Sequence, residues 1–522
     1  MFFLENKRYV LIVNGEIYND PEIRNKNKSY KYSTNSDSES ILAQYQQNGI
    51  KGLRDLRGMY AFIIYDKKLD ELIIGRDEFG IKPLYFSLHK EGIIFCSEMK
   101  PIKSLKKLDD KINTFKFSEY MQLQYTTGTS TIYDEIKRVA PGQILKVKRG
   151  KIVKSFISDF TQKKQTKTIN HSEKFFDKSI KESISSHLRS DVPYCLFFSG
   201  GIDSMLLLHY INQLRKENVV AFSIFFEDEP KNDLQKITKK YNIDLIKEKF
   251  SENDFWNWLL FAAEKIDEPI ADYAVLPTLK LASLASKKFK VVLTGEGGDE
   301  LFGGYGRYKK TQRTFLKRKD YLPKGAFNKI FANQKFSNWK YELKNHNSFF
   351  LKNKVSTLQS LQLFDYYNWL PNNLLVKLDR CLMTYGMEGR TPFIDKELFS
   401  KLFYVDDKKK ICNGFGKFYI REFLSSKIAD YDFFKKKKGF SVPIYNWIPK
   451  KINEIEELLL KQDFLNEYFS KDEIKKICRM TRVNKKFAKP LWHIIFFTSW
   501  YFVNILGIKK RGNFFDVLND SN

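Results

Sequence analysis

The stretch FFSGGIDSMLLLHY, residues 197–210, runs from the end of one apolar segment through Ser-Gly-Gly-Ile-Asp-Ser into a second. The preceding VPYCLFF (192–198) reads as a strand, and SMLLLHYINQL (204–214) has the apolar spacing of a helix. Parallel strands carry ligands beyond their carboxyl ends, where the following helix offers unpaired amides and the positive end of its dipole. Gly200 and Gly201 let the backbone close on an anion with no Cβ in the way, while Ser199 and Ser204 add hydroxyl donors. The lysine of a Walker loop is absent, and Asp203 sits where it would repel phosphate. A divalent cation between carboxylate and phosphate removes that conflict. Taken alone, SGG is equally a plain glycine turn. The strand–loop–helix context favours the nucleotide reading.

Working outward, EKFFDKSIKESISSHL (173–188) reads as a helix, and VVAFSIFF (219–226) and FKVVLTG (289–295) as strands. Strands alternating with helices predict a doubly wound parallel sheet. After the last of these strands comes TGEGGDELFGGYGRY (294–308), so its residues are expected at the same sheet edge. Its glycines keep the loop thin, and Glu296, Asp299 and Glu300 bring three carboxylates there. Asp203 and Asp299 form the natural pair for Mg²⁺ against a triphosphate, leaving Glu296 to orient or deprotonate an incoming amine. The alternative, a solvated acidic loop capping a helix, fits poorly with so little side-chain bulk. The first third reads instead as hairpins: YAFIIYD with ELIIGRD, PLYFSL with GIIFCSE, and RYVLIV running into a turn at Asn14-Gly15.

Composition narrows the class. The chain has 522 residues, enough for two or three domains, with 90 Lys and Arg against 62 Asp and Glu. The excess lysines are spread along the whole length, with one run at 435–438, rather than gathered into a stripe with interleaved aromatics. That favours compositional drift over a specific nucleic-acid partner. Five scattered cysteines in no metal-ligand spacing read as reduced thiols of a cytoplasmic protein. The uncharged segment 490–508 nears spanning length, but His493, Thr498, Ser499 and Asn504 interrupt it. A buried C-terminal helix is expected there, and no membrane partner.

SGGIDS resembles the pyrophosphatase loop of enzymes that split ATP to AMP and pyrophosphate while adenylating an acyl or carbonyl oxygen. TGEGGDELFGGY narrows the resemblance to the asparagine synthetase family. DEPIADYAVLPT (267–278), LLVKLDRCLMTYGMEGRTPFID (374–395) and KKKGFSVP (436–443) agree, as do NGEIYND (14–20) and RDEFGIKPLYF (76–86) ahead of them. The resemblance covers nearly the whole chain. It implies an α/β and α+β architecture: a truncated, antiparallel β-rich glutaminase domain of the Ntn-hydrolase type over 1–147 and a linker over 148–170. A doubly wound ATP-pyrophosphatase domain with a helical C-terminal part then fills 171–522. The implied activity is that of a carbon–nitrogen ligase making asparagine from aspartate through β-aspartyl-AMP, with ATP and Mg²⁺ and with glutamine or ammonia as nitrogen donor. A relative amidating another carboxylate, such as a sugar acid, is the second reading, and a non-catalytic remnant the third; a homodimer is left open.

Carried over residue by residue, the resemblance implies that Phe198 and Ile224 meet the adenine-ribose part of ATP through strand-end backbone. Thr294 and Gly295 line the same nucleotide, with Ser199, Gly200, Gly201, Asp203 and Ser204 around the phosphates. Lys437 corresponds to a pyrophosphate-contacting lysine. Lys377, Asp379, Arg380 and Arg390 match a motif framing the substrate cleft, although each is equally readable as a structural ion pair. Asn14, Gly15, Glu16 and Asp37 match positions that hold glutamine. Phe225, Gly389, Thr391 and Ser441 depart from the family pattern on the substrate-facing side, so aspartate is less secure than ATP. A glutaminase of this type uses an N-terminal cysteine whose own amine is the base. This chain opens MFFLENKRYV and its first cysteine is Cys96, so glutamine hydrolysis is not expected from it as given, whether through a truncated gene, a misplaced start or a chain fed by free ammonia. An exposed edge or loose packing is expected at its first strands.

Overall fold

The computed structural model describes residues 2–90, 92–106, 111–158, 172–215, 218–227, 234–312, 322–328, 330–331, 336–341, 343–344, 355–429, 431–435, 442–508 and 512–520. In the first third, alternating apolar segments form β1 (Phe2–Glu5), β2 (Tyr9–Ile17), β3 (Gly58–Asp66), β4 (Glu71–Arg76), β5 (Tyr85–His89), β6 (Gly92–Cys96), β7 (Lys137–Arg138), β8 (Gln143–Lys148) and β9 (Lys151–Ile157). Six of them make one antiparallel sheet, in the order β1-β2-β3-β4-β8-β9, and a smaller sheet runs β6-β5-β7. The expected β3–β4 and β5–β6 hairpins are present.

Two expectations fail here. Asn14 and Gly15 do not turn the chain; they lie inside β2, opposite Ala61 and Tyr60 of β3. Gly15 is needed for close approach, because a Cβ there would stand 2.0 Å from the Met59 carbonyl oxygen. The linker also starts later than 148, since Lys151–Ile157 is paired with β8 and closes the sheet. Residues 159–170 of that proposed linker lie outside the described residues. β1 is an edge strand, and Phe3 on it is 61% exposed.

The second sheet is parallel throughout: β10 (Tyr194–Phe197), β11 (Val219–Phe226), β12 (Ile243–Phe250), β13 (Val291–Leu293) and β14 (Glu388–Arg390). Its order is β12-β11-β10-β13-β14, so the chain builds first to one side of β10 and then to the other. That reversal leaves a crevice beyond the carboxyl ends of β10 and β13, the usual ligand position in such sheets. The SGGIDS and TGEGG loops follow these two strands.

The segment at 490–508 forms the greater part of the Ala488–Asn504 helix, with Trp492, Phe496, Phe497 and Trp500 fully buried. Trp492 donates to the Ala271 carbonyl at 2.9 Å, and Tyr120 of the first domain donates to the His493 carbonyl at 2.8 Å. Among the described residues, no helix is long and apolar enough to cross a membrane.

Acids of the DEPIADY motif fasten the two domains together. Asp267 accepts the Met99 amide at 2.9 Å, and Glu268 accepts the Ile132 amide at 2.8 Å and the Thr126 hydroxyl at 2.5 Å. Arg138 completes the set by pairing with Glu268, both side chains being almost fully buried. Removing one partner of a buried ion pair leaves the other charge uncompensated, at a cost of roughly 3–5 kcal/mol. Arg138→Ala is therefore expected to lower the unfolding free energy by about 3–5 kcal/mol, read as a lower urea midpoint with the m-value unchanged. A loss under about 1 kcal/mol would mean that the neighbouring hydroxyl and amide suffice to hold Glu268.

Candidate active site

The loop after β10 braces itself. Ser199 Oγ accepts the Gly201 amide at 3.2 Å and lies 3.3 Å from Ser204 Oγ, which donates to the Gly201 carbonyl at 3.0 Å. The Ile202–Leu214 helix starts there and carries Asp203 in its first turn. On the facing loop, the Thr294 amide donates to the Arg390 carbonyl at 3.0 Å, while its buried hydroxyl makes no hydrogen bond among the described residues. Gly298 packs directly against Asp203: a Cβ there would lie 2.4 Å from Asp203 Oδ1. A Cβ on Gly304 would come within 1.8 Å of Asp299 Oδ1.

With side chains removed from between them, Asp203 and Asp299 converge on one cation. Lys417 Nζ stands 2.5 Å from Asp203 Oδ2 and 2.6 Å from Asp299 Oδ1. Burial by itself would lower the lysine's pKa; the two carboxylates outweigh burial and push it up to about 12. Sequence reading missed Lys417. It sits in NGFGKFYIRE with no local signature, one lysine in a chain rich in them, and only the fold of 411–417 turns it into the crevice.

Glu296 lies in the same crevice. Burial raises its pKa, against the pull of Lys377 and with a further push from Asp272, Asp299 and Asp203. Lys377 Nζ is 2.9 Å from Asp272 Oδ2. A π-helical turn at Leu370–Leu374 leads into its helix, Leu375–Met383, and Asn373 from that turn also reaches Asp272, at 3.4 Å. Glu300 is drawn elsewhere, accepting the Tyr305 hydroxyl at 2.7 Å, and burial beside Asp299 pushes its pKa up to about 8. Phe198 and Ile224 sit at the ends of adjacent strands, with the Phe198 amide donated to the Phe222 carbonyl at 2.8 Å.

Of the four residues expected around the substrate cleft, the structure places Lys377 beside Glu296 and the other three at the domain boundary. Asp379 pairs with Lys82 of RDEFGIKPLYF at 3.2 Å. Arg380 pairs with Glu98 at 3.1 Å and donates to the Ser97 carbonyl. Arg390 pairs with Glu16 at 3.2 Å. All three make ion pairs across the boundary between the two halves. Asn14, Gly15 and Glu16 follow one another on β2, and Asp37 accepts the Ile17 amide beside them. Burial raises the pKa of both carboxyls, Glu16 to about 7 despite Arg390. Phe225 is 43% exposed, and Gly389 lies under Leu382, 2.5 Å from where its Cβ would stand. Lys437 and Ser441 lie outside the described residues. Among the described residues no group of three His, Cys, Asp or Glu side chains is arranged to hold a metal ion.

Two acidic loops thinned by glycine thus meet at the switch point of a parallel sheet, and ion pairs latch that sheet to the antiparallel one. The asparagine synthase family model matches residues 176–502, and the glutamine amidotransferase domain model matches residues 1–157. The chain belongs to the asparagine synthase family. It is 29% identical to asparagine synthetase [glutamine-hydrolyzing] 1 of Bacillus subtilis (strain 168), over 96% of this chain and 86% of that protein. Asparagine synthetase B of Escherichia coli (strain K12) is 25% identical over 85% of this chain and 72% of its own. A putative asparagine synthetase of Methanocaldococcus jannaschii is 31% identical over 62% of this chain and 63% of its own.

Removing the Lys377 charge takes away the attraction that opposes burial at Glu296, so its pKa must rise further. A base works only when ionised. Lys377→Met should therefore move the acid limb of the pH–rate profile for amide formation to higher pH. An acid limb that stays in place would separate Glu296 from proton transfer.

Proposed function

We propose that this chain is an ATP-dependent ligase that converts aspartate to asparagine by way of a β-aspartyl adenylate. The nitrogen is ammonia, free or drawn from glutamine held by Asn14, Gly15, Glu16 and Asp37. The observation that carries this reading is the convergence of Asp203 and Asp299, from the two loops at the switch point, on Lys417.

The acid's carboxylate oxygen attacks the α-phosphorus of ATP, the bond to the bridging oxygen breaks, and pyrophosphate leaves with its negative charge. Ser199, Ser204 and the Thr294 hydroxyl supply donors to the phosphates. Lys417, fully protonated at neutral pH, neutralises charge on the leaving group. Two carboxylates facing a triphosphate suit a hard cation that keeps phosphate oxygens as its other ligands, so Asp203 and Asp299 would hold Mg²⁺. When bound, that ion supplies charge neutralisation at the phosphates.

Ammonia then attacks the acyl carbon and AMP leaves. Glu296 takes the proton that the nitrogen must lose, and Lys377 favours its ionised form against burial. The exposed Phe225 on β11 and the buried Thr391, just beyond the end of β14, are the candidates for selecting the acceptor acid.

With ammonium as nitrogen source, Asp203→Asn and Asp299→Asn should each slow aspartate-dependent release of pyrophosphate and AMP by about 100-fold or more. Rates above a tenth of the natural chain's in both variants would remove the charge-bridge assignment. Turnover with a sugar acid in place of aspartate would keep the chemistry and change the acceptor.

A further inference from the structure

Arg390 joins the two halves of the molecule in a way its motif does not announce. Its guanidinium is almost fully buried and every branch is in use. Nε pairs with Glu388 at 2.8 Å, and Nη1 donates to the carbonyls of His187, at 3.0 Å, and Arg189. These carbonyls close the end of the Glu173–His187 helix, where a cation is favoured. Nη2 crosses to the first domain and pairs with Glu16. Tyr18, two residues further along, lays its ring 4.1 Å from that of His187. The Arg390 carbonyl, in turn, holds the Thr294 amide at the start of the loop that carries Glu296 and Asp299.

We infer that Arg390 is a positioning residue that couples occupancy of the amino-acid pocket on β2 to nucleotide binding at the β13 loop. The inference rests on the proposed function for the identity of both ligands. Glu16 is the shared element. A carboxylate in an amino-acid pocket is the complement of an α-ammonium group, and Glu16 has two oxygens, of which Oε1 faces Arg390. The groups acting on Glu16 are Arg390, which favours its ionised form, and Asp37, Glu388 and Asp191, which oppose it, with burial opposing it most.

An ammonium on the pocket side favours the ionised form too. Binding there therefore tightens the Arg390–Glu16 pair, steadies the β14 backbone and with it the Thr294 amide. The coupling is positive, and by linkage it is the same in both directions. It is largest where Glu16 is partly protonated without a ligand, below neutral pH, and fades as rising pH ionises Glu16 unaided.

The test uses the full chain and equilibrium binding of ATP with and without saturating glutamine, and of glutamine with and without saturating ATP. The expected result at pH 6 is a threefold or greater tightening of each ligand by the other, equal within error, falling toward one at pH 8.5. Arg390→Lys, which keeps the charge but not the fork to His187 and Arg189, should bind both ligands with a factor near one. A natural chain that binds both ligands with a factor near one at pH 6 overturns the coupling without touching the proposed function, and so does failure of glutamine to bind. A full coupling factor retained in Arg390→Lys overturns the role of Arg390. Failure to bind ATP at all would instead sink the proposed function. The pH series needs no variant, so the inference stays testable if Arg390→Lys does not fold.

Discussion

Two loops from opposite sides of a switch point can share one site only if their acids can approach each other. Ionised carboxylates left unpaired at about 4 Å repel by on the order of 4 kcal/mol at an effective dielectric of about 20. Lys417 removes that repulsion by standing between Asp203 and Asp299. Glycine removes the steric obstacle, since side chains at 298 and 304 would occupy the same space as the two carboxylates. Charge and volume thus impose one geometry. The crevice is acidic and already holds a lysine between its two carboxylates.

The acids and bases of the long motifs divide their labour. Asp203, Asp299, Glu296 and Lys377 face the crevice, whereas Asp267, Glu268, Asp379, Arg380 and Arg390 face the other domain. A buried pair at an interface adds little net stability over a hydrophobic contact, but losing one partner is costly. Such pairs therefore hold a fixed docking register more than they add affinity. The effect is that β2 and the β13 loop are connected through the side chain and the backbone of a single residue, Arg390.

Much of this was readable in advance because the signals are local. The strand–SGG–helix turn, the second glycine-rich loop and the β3–β4 and β5–β6 hairpins depend on residues close in sequence, and all formed as expected. So did the burial of the helix over 490–502, where polar residues interrupt an apolar run and find partners inside the protein. Asn14-Gly15 misled because the same dipeptide serves a tight turn and a close strand crossing. Only the Met59 carbonyl, brought in by a strand more than forty residues away, decides between them. The linker boundary failed for a similar reason, since a Lys-rich edge strand looks polar until its partner is known.

The sequence alone determined the class of sheet, the two loops at its edge and the carboxylates they carry, because glycine content, apolar period and acid placement act over a few residues. Only the tertiary structure decided where Lys417 stands and which way the charged residues of 374–395 point. Both depend on Coulomb pairing between segments far apart in the chain. Arg390 is separated from Glu16 by most of the chain and meets it through space, at 3.2 Å. No local pattern encodes such a pairing, because a lysine or arginine on a helix or strand carries the same charge whichever neighbour the fold brings to it.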